Sequence, residues 1–204
     1  MDTHLDDTLI GTRPGTASHA TPLPLSMAAP AAILGALLVL AGDAYHLFVL
    51  DDRPTQAGTA AYSAHGVALM LGLLLLLLAA LSVARPGRLA RVALPAMVIG
   101  TALVVGDIWA EVVVLPGVVT GGARDLLGDD ISGQHLALVI VAFALFAIGW
   151  VLFALSMRRV AGPVTWVLVA GGVIAFLPVG GSYVTLAIAA ALVVARAAQA
   201  ERVR

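Results

Sequence analysis

The chain has 204 residues, 61% hydrophobic and 11% charged, with a mean hydropathy of +1.03. A soluble domain carries about 25% charged residues, so this sequence lacks the polar surface needed to cover a core in water, and its net charge of −1 excludes a basic field for nucleic acid. The absence of cysteine excludes disulfides, thiolate metal sites, iron–sulfur clusters and thioether-linked haem, leaving His, Asp, Glu and backbone oxygen as metal ligands.

In chain order, residues 1–26 mix Asp, Thr, Gly, Pro and His without an apolar period, and read as a disordered cytoplasmic tail. No basic segment of the signal-peptide kind precedes the first apolar run, which therefore reads as a retained anchor. A membrane-spanning helix needs about 20 mostly apolar residues. Four runs meet that length: span 1 over Met27 to Leu50, span 2 over Ala61 to Ala84, span 3 over Leu89 to Leu115 and span 4 over Gly133 to Met157. The apolar stretch from Val164 to Ala195 is too long for one span and is broken at Pro178-Val179-Gly180-Gly181-Ser182, which divides it into short spans 5 and 6. Uniformly apolar runs such as Leu73 to Leu78 exclude the alternation of a β-barrel. The fold class is thus all-α, a polytopic membrane bundle of six transmembrane helices over residues 27–197, with a short cytoplasmic tail at 198–204.

Arginine placement orients the bundle. Arg85, Arg88 and Arg91 follow span 2, Arg158 and Arg159 follow span 4, and Arg196, Arg202 and Arg204 follow span 6. Arg53 and Arg124 fall on the other side, beside Asp51, Asp52, Asp125, Asp129 and Asp130. This bias predicts a cell-membrane protein with both termini cytoplasmic.

An ionisable side chain inside a membrane helix is costly and therefore points to function. Six such residues are Asp43 and His46 in span 1, His65 in span 2, Asp107 and Glu111 in span 3, and His135 in span 4. At ~1.5 Å rise per residue, all six fall in the outer half of the bilayer. Asp43 with His46, and Asp107 with Glu111, have the spacing of one helix face, so an inward-facing polar cluster is expected. The competing interpretation, snorkelling to water, suits His135 better than the deeper, short-chained aspartates. His4 and His19 lie in the tail, and Trp109, Trp150 and Trp166 read as packing or interface anchors.

Gly42-Asp43-Ala44-Tyr45 and Gly106-Asp107-Ile108-Trp109 share a Gly-Asp-x-aromatic pattern, each followed by an acidic loop and then a His, His65 or His135. The pattern points to repeated helical hairpins related by an axis along the membrane normal.

Three His and three carboxylates at one depth form a ligand set for a divalent metal, zinc or copper, with His65 and His135 as first ligands, His46 as third, and Asp43, Asp107 or Glu111 completing the shell or activating water. In kind this resembles the zinc sites of the alkaline ceramidases and adiponectin receptors. Their paired His on a late helix has no counterpart in spans 5 and 6, so no residue is carried over from them. Three other readings stay open: an accessory or structural subunit with a buried polar network, joined to a membrane-protein partner or a second copy; a proton-coupled transporter, which the apolar inner half opposes; and a b-type haem held by two of His46, His65 and His135.

Overall fold

The computed structural model describes residues 23–48, 59–121, 133–176 and 182–202, and among these every regular element is helical. The helices are α1 (Leu25–Phe48), α2 (Ala60–Val83), α3 (Arg88–Trp109), α5 (Gly133–Ala161), α6 (Val164–Ile174) and α7 (Ser182–Arg202). α3 passes through a π-helical turn at Ala110–Val114 into the short α4 (Leu115–Thr120). Among the described residues, five segments are long and apolar enough to cross a membrane: Leu25–Tyr45, Ala60–Val83, Arg88–Val118, Leu136–Ala161 and Tyr183–Glu201. Large apolar side chains such as Leu34, Leu37, Val92, Leu138 and Leu192 lie half exposed along their flanks. Such surfaces suit lipid, and helices satisfy their own backbone groups there.

The chain thus reads as a membrane protein built as a helical bundle. Spans 1 and 2 match α1 and α2 to within two residues at each end that the structure describes; Leu50 lies outside the described residues. Span 3 runs on to Thr120 and span 4 to Ala161. The divided apolar stretch gives α6 and α7, but α6 has 11 residues, about 16 Å of helix and roughly half a span. α7 continues to Arg202, and Ala197 and Ala198 are buried, so residues 198–202 are helix rather than tail. The tail expected over residues 1–26 lies outside the described residues up to residue 22, and α1 already begins at Leu25.

Close backbone contact explains the pairing of helices. On α1 and α2 a methyl group at Gly72 would lie 2.7 Å from the Gly35 carbonyl oxygen, and one at Gly35 would lie 2.8 Å from that of Gly72. α3 and α5 meet in the same way, Gly100 against the Phe146 backbone and Gly149 against the Met97 backbone. Small residues at such crossings let membrane helices approach and gain packing energy where lipid offers no hydrophobic drive. α6 lies against α5 and α7, and α7 is the central element, touching α1, α2, α5 and α6 through fully buried Leu186, Ala190, Val193 and Val194. The turn between α5 and α6 is tight because Gly162 takes φ +61°, a conformation that costs glycine little.

One end of the bundle collects the arginines. Arg85 pairs with Glu201 at 2.5 Å, joining the end of α2 to α7. Arg196 donates from Nη1 to the Ala161 carbonyl at 3.0 Å, capping α5. The amide of Leu23 donates to Ser82 Oγ at 3.1 Å, fixing the entry to α1.

Candidate functional site

The opposite end, where α1 finishes, α2 begins, α3 finishes and α7 begins, holds the ionisable residues picked out above. Thr59 caps α2 by accepting from the Tyr62 amide at 3.2 Å, which sets Tyr62 in the first turn and His65 one turn on. Gly42 brings α1 onto α2 here: a methyl group on it would lie 2.8 Å from the His65 carbonyl oxygen. Gly66 does the same for the π-helical turn, packing directly on Val112. His65 therefore sits between two close helix approaches, with Asp43 next to the first and Glu111 next to the second.

Asp43 is 3% exposed and His65 8% exposed, although each comes from a helix with a lipid-facing flank. Both side chains face into the bundle. Asp107 and Glu111 are half-buried. Glu111 Oε1 accepts a hydrogen bond from Tyr62 Oη at 3.0 Å, tying α2 to the π-helical turn. The His65 ring is stacked on Tyr45, with centroids 4.9 Å apart and planes 20° apart, and meets Tyr62 edge to face at 4.9 Å. The phenol of Tyr183, on the first turn of α7, lies within electrostatic reach of Asp107, Asp43 and Glu111. Its ring packs on Phe143 and Phe146 of α5, with centroids 6.2 and 6.0 Å away.

Four of the six expected residues, Asp43, His65, Asp107 and Glu111, thus share one neighbourhood. His46 lies in the last turn of α1 and His135 in the first turn of α5, but their side chains fall outside the described residues. Among the described residues, no three His, Asp or Glu side chains are grouped to hold one metal ion. Sequence reasoning missed Tyr62 and Tyr183 and picked out Tyr45 only as the aromatic of a repeated motif; the chain's three tyrosines all belong to this cluster. No described arginine lies at this end.

The paired Gly-Asp-x-aromatic motifs serve different local roles. Gly42 is pressed against α2, whereas a methyl group at Gly106 would meet nothing within 4 Å. Tyr45 covers His65, whereas Trp109 is 51% exposed. The π-helical turn starting at Ala110 changes the helical phase directly after the second motif. The hairpin organisation is repeated, α1 with α2 and α3 with α5, without repetition of the motif's contacts. Trp150 is fully buried against Phe146 and Phe153, and Trp166 is 65% exposed. One is a packing residue; the other lies on the surface as an interface anchor would.

No family model, curated protein or solved structure matches the chain.

Proposed function

We propose that the chain is a multi-pass protein of the cell membrane, with both termini cytoplasmic, whose working part is an outward-facing cation site that takes a divalent metal, zinc or copper. The observation behind this reading is the charge of the cluster. Asp43, Asp107 and Glu111 all act electrostatically on one phenol, that of Tyr183, and His65, buried between α1 and the π-helical turn, is the one basic side chain described at this end. Carboxylates gathered in a low-dielectric setting repel one another unless protons or a cation offset them. An imidazole with carboxylates is the donor set that zinc and copper(II) accept.

His65 would supply nitrogen and Asp43 or Glu111 oxygen. Since no three described side chains share one ion, the shell would be completed by water or by His46 and His135. Tyr62 would orient Glu111, and Tyr45 would hold the plane of the His65 ring, as outer groups do around metal ligands. The orientation follows from the arginines at the opposite end.

A second reading has its own observation. The Tyr62–Glu111 bond and the Tyr45–His65 stack already join three helices, the behaviour of a network that stabilises an accessory subunit next to a membrane-protein partner or in a homo-oligomer. Metal analysis of the purified protein with a zinc or copper titration of its melting temperature separates the two. The metal reading expects bound metal and a rise in melting temperature that His65→Ala abolishes. The network reading expects neither, and a His65→Ala protein that is simply less stable.

A further inference from the structure

At the arginine end, we propose that the tips of α3 and α5 form a binding surface for the headgroup of an anionic phospholipid. The contacts of Gly100 with Phe146 and of Gly149 with Met97 fix the register of these antiparallel helices. Carried along both, that register puts Arg88 level with Arg158. Arg91 is one turn further along the face of α3 that carries Arg88, and Arg159 adjoins Arg158. Four arginines thus stand at the end of one helical hairpin, about two helix diameters, or roughly 20 Å, across.

All four are exposed, and none has an ion-pair partner among the described residues. Glu201 is the one described carboxylate at this end, and Arg85 occupies it. An anionic headgroup placed among these cations gains attraction from each of them. Apolar side chains stand beside these arginines: Leu89 and Val92, next to Arg88 and Arg91, are 45% and 61% exposed. A partner here should therefore join a negative head to apolar tails. Arginine forks match phosphate geometry, and basic residues at the membrane surface each strengthen anionic-lipid binding by about fivefold. A phosphatidylglycerol-like lipid has both parts. This site is at the far end of the bundle from the metal cluster and does not depend on it.

The test uses the full chain in nanodiscs, where both leaflets are accessible, so its outcome does not depend on the proposed orientation. Melting temperature and lipid retained in native mass spectrometry are compared in phosphatidylcholine alone and in phosphatidylcholine mixed with phosphatidylglycerol. The expected result is a higher melting temperature and retained phosphatidylglycerol in the mixed discs. Retention should fall about fivefold for each arginine removed in Arg88→Gln/Arg91→Gln and Arg158→Gln/Arg159→Gln. Arg85→Gln, which breaks a pair already satisfied, should keep the gain. The proposal fails if the paired variants gain as much as the wild type, or if inorganic phosphate in phosphatidylcholine discs gives the same stabilisation. It also fails if phosphatidylglycerol acts only after Asp2→Asn/Asp6→Asn/Asp7→Asn, since the acidic tail would then be the occupant.

Discussion

Tyr62 makes the best-defined contact in the cluster, and its phenol is the simplest group to remove. Tyr62→Phe deletes the hydroxyl and leaves the ring against His65. Because Glu111 is half-buried and the bond spans two helices, the loss should cost ~1–3 kcal/mol. Thermal melting in detergent reads this, and an unchanged midpoint would mean the bond contributes nothing. The site was partly legible in the sequence for a physical reason. Asp43, His65, Asp107 and Glu111 stand out because charge in a membrane helix is costly. Tyr62 and Tyr183 do not, because tyrosine near a helix end is common at any membrane interface, and Tyr45 stands out only through its motif. Their convergence depends on helices that are far apart in sequence, and no residue pattern announces that α7 delivers Tyr183 beside carboxylates of α1 and α3.

Between helices, the glycines discriminate packing from propensity. Gly149→Ala would drive a methyl group into the Met97 backbone, which cannot yield without separating α3 from α5. A loss of ~1–3 kcal/mol is expected from overpacking. Gly106→Ala meets open space, so the better helix propensity of alanine should leave stability unchanged or raise it by up to ~1 kcal/mol. Equal effects at the two positions, measured by denaturation in the same detergent, would contradict the packing described for this hairpin. The long helices were legible because twenty-residue apolar runs have few alternatives. Their fine structure was not. The π-helical turn at Ala110–Val114 carries no composition signal, and the brevity of α6 follows from where its last turn ends at Ala175 and Phe176, not from the apolar content of Val164 to Ala195.

For the whole molecule, the separation of charge is the organising feature. The described arginines lie at one end and the Asp/Glu/His cluster at the other, as alternate helix directions require. If the arginine end is cytoplasmic, a cysteine placed at Gly128 should react with an impermeant thiol reagent applied to intact cells, and one at Gly87 should not. The native chain has no cysteine, so labelling reports the introduced site alone. Reversed labelling would invert the orientation and put the proposed metal site on the cytoplasmic side.

The central proposal is that the Asp/Glu/His cluster holds a metal, and metal content of the purified protein tests it most directly. Prepared without chelator, the wild type should carry near-stoichiometric zinc or copper, and added ion should raise its melting temperature after the metal is stripped. His65→Ala should bind much less at neutral pH while remaining inserted, since one imidazole contributes little to spanning. Affinity should also fall as pH is lowered, because a protonated imidazole is no longer a ligand. Less than about a tenth of an equivalent of metal, with no thermal response to added Zn2+ or Cu2+, would contradict the account and leave the helix-joining network as the role of the cluster.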